Sequence, residues 1–162
     1  MVDSVEFAKY VLFRVREFNQ KNASNPISIG ETKLQKIVYI CDGYLLAVGI
    51  NFIYENVRAW NYGPVYPKLH KWADKYENLL KEVDNCSAET IEKIKEINAE
   101  PLVDRVIETY GHSTAQSLSL WAHSPGSPWE KALERGWGVM NSPLNKNDMR
   151  DYFKELLNAS SR

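Results

Sequence analysis

The chain has 162 residues, 44% hydrophobic and 25% charged, and its 20 Lys plus Arg against 21 Asp plus Glu leave a formal net charge of −1. That length and balance fit one globular domain with a real core, and the near-neutral charge excludes a bulk electrostatic attraction to nucleic acid or anionic membrane. Two distant cysteines, Cys41 and Cys86, exclude a disulfide framework or a Cys-rich zinc site and suit a reducing cytosol. No run of about 18 uncharged apolar residues occurs, and the N-terminus carries acids early without a basic lead-in, so neither a membrane span nor a signal peptide is expected.

In chain order, Asp3 and Glu6 have the spacing of a helix start, and Val5, Ala8, Val11, Leu12, Val15 and Phe18 then mark one helical face. Residues 22–26, NASNP, are a breaker cluster and predict a loop. The clearest helix follows. Leu34, Ile37, Val38, Cys41, Leu45 and Val48 recur at helical spacing, and further apolar residues elsewhere on it predict a central helix with little exposed surface. Thr32 with Gln35 predicts its capping box, and Gly49 its stop. Gly43 inside it predicts close packing against a neighbouring backbone. From Asn51 to Trp60 the residues favour an extended arm, a short strand or a small hairpin. A Gly63-Pro64 turn leads to a third helix with Val65, Leu69, Trp72 and Tyr76 on one face.

Ser87 predicts the cap of a short charged helix, Pro101 the first turn of the next, with Gly111 as its end. Ser113 with Gln116 predicts another capping box, and Ser127-Pro128-Trp129-Glu130 a near-complete helix start, with a stop near Gly136. Pro143 to Asn147 reads as a loop, Asn145 as the cap of a last helix bearing Met149, Tyr152, Phe153, Leu156 and Leu157, and residues 158–162 as a frayed tail. The expectation is a mainly α fold: a single multi-helix domain over residues 1–162 with one short extended segment or hairpin around 51–60.

Catalytic signatures are sparse. The three histidines, His70, His112 and His123, lie in no H-E-x-x-H pattern, no P-loop or G-x-G-x-x-G is present, and GHSTA is not a nucleophile elbow. His123 precedes a Ser-Pro-Gly-Ser-Pro loop and reads either as a structural histidine bonding that loop or as the centre of a small hydrolase with nearby Ser residues and Glu130. Lys33, Lys36, Lys68, Lys71 and Lys75 would support a nucleic-acid-binding regulator if clustered in space; solvated helix faces are the simpler reading. No metal or cofactor spacing is found. Trp60, Tyr62, Tyr66, Trp72 and Tyr76 fall in one short region around a turn. Such rings either pin the turn to a core or present a protein interface.

Two stretches carry a resemblance: KLQKIVYICDGYLLAVG and, after it, AWNYGPVYPKLHKWADKY. With Lys33, Leu34, Gln35, Lys36 and Tyr39 in the first, and Ala59, Trp60, Tyr62, Gly63, Pro64, Val65 and Pro67 in the second, the chain resembles the Panacea antitoxin domain family, the SocA-like and phage-associated GepA-like proteins. Leu118, Ser119, His123, Pro128 and Trp129 fit a third family segment, with Ala122 where Thr is usual. The resemblance implies a protein-binding domain that neutralises a cognate toxin encoded beside it, and one type in the family delivers its toxin to the ClpXP protease. It implies no catalytic group and no cofactor. On this reading the partner-binding residues are Trp60, Tyr62, Tyr66 and Lys68, and the remaining motif residues serve the fold.

Overall fold

A computed structural model describes residues 1–160. Among these the fold is mainly α: α1 (Ser4–Lys21), α2 (Glu31–Ala47), α3 (Pro67–Ala73), a 3₁₀ helix (Leu79–Asn85), α4 (Ala88–Glu96), α5 (Glu100–Tyr110), α6 (Ala115–Ala122), α7 (Pro128–Arg135) and α8 (Lys146–Ser160). A small antiparallel sheet completes it, formed by β1 (Arg58–Trp60), β2 (Gly63–Val65) and β3 (Ser142–Pro143) in the order β2-β1-β3. None of the described helices is long and apolar enough to cross a membrane.

The helix α2 is the axis of the molecule. Thirteen of its residues are buried, and α1, α5, α6 and α8 pack around it. Its burial on all sides follows from its apolar residues falling beyond a single stripe. Gly43 is where α8 comes closest: a Cβ there would lie 2.2 Å from the Phe153 ring. The small residue therefore makes room for an aromatic side chain, not for a neighbouring backbone as expected. Phe153 is fully buried and meets Tyr39 and Tyr44 edge-on, at centroid distances of 5.4 and 5.0 Å.

Several predicted caps form. Asp3 accepts from Glu6 N–H at 2.8 Å, Ser87 from Thr90 N–H at 3.1 Å, Ser127 from Glu130 N–H at 3.2 Å, and Asn145 from Asn147 N–H at 2.8 Å. Two do not. Thr114 caps α6 in place of Ser113, and α2 begins after Gly30 with no side-chain cap. Thr32 is exposed within α2, and Gln35 is buried with its amide engaged elsewhere, so no capping box can close. The tail expected to fray remains helical through Ser160; residues 161 and 162 lie outside the described residues.

The extended arm also differs in place. The hairpin lies later than expected, over 58–65, and Pro64 and Val65 belong to its second strand while Pro67 opens α3. Pro64 is tolerated because β2 is an edge of the sheet and needs no ladder N–H there. The third strand comes from far along the chain, with Arg58 opposite Pro143 and Ala59 opposite Ser142. Upstream, residues 52–54 instead bond Val2, through Val2 N–H to the Phe52 carbonyl and Tyr54 N–H to the Val2 carbonyl.

Candidate functional site: a clamped hairpin and its outer face

The hairpin carrying AWNYGPVY is held from within by side chains of the two other sequence motifs, on α2, α6 and α7. Its carbonyls at every second residue each accept one side-chain hydrogen bond. Trp129 Nε1 donates to the Trp60 carbonyl at 2.8 Å, and the Ser119 hydroxyl donates to the Tyr62 carbonyl. Lys36 Nζ donates to the Pro64 carbonyl at 3.1 Å, and Gln35 Nε2 to the Tyr66 carbonyl at 3.1 Å. Gln35 also accepts from Tyr66 N–H at 2.9 Å, so its amide serves the Tyr66 backbone as a neighbouring strand would. Buried backbone groups must be paired, and here side chains do what a fourth strand would otherwise do. Gly63 has φ +106°, a conformation glycine adopts without cost, and a Cβ there would meet Lys36 Cε at 3.0 Å.

Two ionisable groups are buried in this seam. Lys36 is 1% exposed, and desolvation, partly opposed by Glu31, lowers its ammonium to about 8. Asp42 is also 1% exposed; burial raises its carboxyl to about 6, against the opposing hydrogen bond from Tyr66. The Tyr66 hydroxyl donates to Asp42 Oδ2 at 2.6 Å, while Asp42 Oδ1 has no hydrogen-bond partner. Lys33 is 8% exposed and donates to the Ser28 carbonyl at 2.8 Å. Lys33 and Lys36 thus solvate no helix face, which corrects the simpler sequence reading and takes two members from the lysine cluster imagined for nucleic acid.

The predicted partner-binding residues separate. Tyr66 is fully buried with its hydroxyl on Asp42, so it supports the interior and offers no surface. Lys68 is exposed on α3 and pairs with Asp3 at 2.6 Å. Trp60 is half-buried: its ring meets His70 at 5.2 Å, and its Nε1 donates to Asn141 Oδ1 at 3.0 Å. His70 in turn hydrogen-bonds Glu31. Tyr62 stands 74% exposed at the hairpin turn. It is shared by two shallow clefts. One is lined by Trp60, Asn61, Tyr62, Met140 and Asn141. The other runs along α6, past Gln116, Ser119, Leu120 and His123. Neither cleft is lined by a Lys, Arg, Asp or Glu side chain.

Around His123 no catalytic arrangement is assembled. Its Nδ1 is buried without a hydrogen-bond partner, and its ring tilts against Trp129 at 5.1 Å. Ser119 is committed to the Tyr62 carbonyl, and Glu130 accepts from Gly126 N–H at 3.1 Å. Among the described residues, no group of three or more His, Cys, Asp or Glu side chains could hold a metal ion.

Sequence reasoning missed the loop after α7. Trp137 is 94% exposed, Val139 61% and Met140 43%, and Met140 lines the first cleft beside Trp60 and Tyr62. The available signal was Gly136-Trp137-Gly138: a tryptophan between glycines belongs to no helical face.

A family model described as "Antitoxin SocA-like, Panacea domain" matches residues 34–130. Among curated proteins, the chain is similar to "Antitoxin SocA" of Caulobacter vibrioides (strain NA1000 / CB15N), 25% identical over 118 residues that cover 68% of this chain. The match spans 63% of that relative's own length. No solved structure matches the chain.

Proposed function

Because the chain belongs to the SocA-like Panacea antitoxin domain family, we propose that it neutralises a cognate toxin by binding it directly, without catalysis and without a cofactor. The observation that supports a location is Tyr62, a tyrosine 74% exposed on a turn whose Trp60, Tyr62 and Pro64 carbonyls are each held by a side chain from behind. A large ring on a rigid support gives contact area at low entropic cost, which is what protein interfaces favour. Trp60 and Tyr62 form the centre of the proposed surface. Tyr66, Lys36 and Gln35 act behind it by fixing the backbone. Hand-over of the bound toxin to a ClpXP-type protease would need a second surface, left uncovered by the toxin.

The test is expression of each gene flanking this coding sequence, alone and together with this chain. One product should arrest growth alone, lose its toxicity on co-expression, and co-purify with this chain as a stoichiometric complex. Absence of any toxic neighbour, or rescue without a complex, overturns the reading. Degradation of that toxin by purified ClpXP only when this chain is added would establish the delivery role.

A further inference from the structure

The loop over residues 136–141 combines two properties that rarely coexist. Its backbone is fixed. Gly138 N–H donates to the Leu133 carbonyl at 2.7 Å, Val139 N–H to the Gly136 carbonyl at 3.0 Å, and the Ser142 hydroxyl to the Val139 carbonyl at 2.7 Å. Asn141 fastens the loop to the hairpin: its N–H donates to the Ala59 carbonyl at 2.7 Å, its carbonyl accepts from Arg58 Nη1 at 3.1 Å, and its Oδ1 accepts from Trp60 Nε1 at 3.0 Å. Yet its apolar side chains are left uncovered: Trp137, Val139 and Met140 are all exposed.

Trp137 and Asn141 also hold positive φ, +57° and +73°. For a bulky residue such as Trp this backbone is disfavoured, and at 94% exposure the ring recovers little of that cost from contacts within the fold. A strained, preorganised loop that displays a tryptophan is the form taken by an interface anchor, a rigid aromatic side chain waiting for a pocket.

We infer that this loop selects the toxin, with Trp137 entering an apolar, uncharged pocket on that protein while Met140 continues the contact into the Tyr62 cleft. The inference rests on the reading that a toxin binds the Tyr62 face. Two observations commit the occupant. The cleft that Met140 shares with Trp60 and Tyr62 is lined by no charged side chain, so it presents no ion-pair partner to a phosphate backbone or a charged headgroup, and matches an apolar protein surface. The loop also lies beyond residues 34–130, the span matching the family model, and is braced by the hairpin inside that span. On this inference the family domain supplies the platform and the loop supplies the anchor.

The experiment uses the full chain and the toxic flanking-gene product identified by the rescue assay. Affinity is measured by calorimetry for the wild type, W137A, M140S and V48S. Val48 is 55% exposed at the end of α2, in a different cleft with Leu102 and Tyr110. W137A should weaken binding by about 30-fold or more, the size of an anchor residue, and M140S by a smaller factor. V48S should stay within about twofold of the wild type, since it lies off the proposed interface. Melting curves of W137A and M140S should match the wild type, because neither side chain supports the core. Toxin binding by the wild type with W137A equally tight overturns the inference and leaves the proposed function standing. So does equal loss in V48S, which would mean unspecific apolar adhesion, or a homodimer that W137A dissociates while toxin affinity holds. No toxin binding by the wild type overturns both.

Discussion

Tyr62 and Tyr66 are four residues apart on one hairpin, and they live in opposite worlds. Tyr66 has no exposed surface, and its hydroxyl, N–H and carbonyl are all engaged by α2 side chains, Asp42 and Gln35. Tyr62 is 74% exposed, and its carbonyl accepts from the Ser119 hydroxyl. The inner region is crowded with polar partners because buried backbone groups are costly to leave unmade. The Tyr62 ring, by contrast, projects largely into solvent. Four motif residues thus act behind the surface: Lys36, Gln35, Ser119 and Trp129 each fix one carbonyl of the hairpin.

Four substitutions would break or sharpen that contrast. The largest effect is expected for Phe153→Ala. It removes the ring on which Tyr39, Tyr44, Trp121 and Tyr152 converge, and should cost about 3–5 kcal/mol in urea unfolding. Gln35→Ala leaves both Tyr66 backbone groups buried and unpaired, for a loss of about 2–4 kcal/mol. If Gln35→Ala is harmless, the inner clamp is not what holds the hairpin.

Asp42→Asn tests the charge. The folded carboxyl titrates at about 6, against a starting value of 3.8, so the folded state holds the extra proton between those pH values. That favourable contribution is complete below about pH 4 and is lost as pH rises through 6, where the buried carboxylate costs about 2–3 kcal/mol. Asn keeps the acceptor for Tyr66 and carries no charge. The difference in stability between variant and wild type should therefore grow in favour of the variant from pH 4 to pH 7.5, by about 2–3 kcal/mol, because any cost of an unpaired amide N–H is the same at every pH. A difference independent of pH would mean that Asp42 does not titrate in that window. The smallest effect on stability belongs to the outer face. Tyr62→Ala should shift unfolding by less than about 0.5 kcal/mol while weakening toxin binding; a large loss of stability would show that the ring serves the fold.

Much of the fold could be read from local pattern. Helical periodicity marked α2 and α8, and Asp3, Ser87, Ser127 and Asn145 declared helix starts, because capping and amphipathicity are properties of neighbouring residues. Where local and distant claims competed, the distant one won: Gln35 has capping-box spacing from Thr32, yet its amide goes to Tyr66, thirty-one residues on, since a buried unpaired backbone costs more than a missing cap.

The site was legible only as composition. The cluster of aromatic residues from Trp60 to Tyr66 was visible, but not which ring turns inward. That depends on which residue meets α2: Tyr66 comes against Gln35 and Asp42, some thirty residues back in the chain, while Tyr62 sits in the hairpin turn. Sequence by itself determined the α-helices, though not the 3₁₀ helix at Leu79–Asn85, together with the central place of α2 and the family motifs. Tertiary structure alone decided that Lys33 and Lys36 are interior donors, that Gly43 seats Phe153, and that Tyr62 and Trp137 face outward. The physical reason is range: periodicity and capping act within a few residues, whereas burial and polar satisfaction are settled between segments that meet only when the chain has folded.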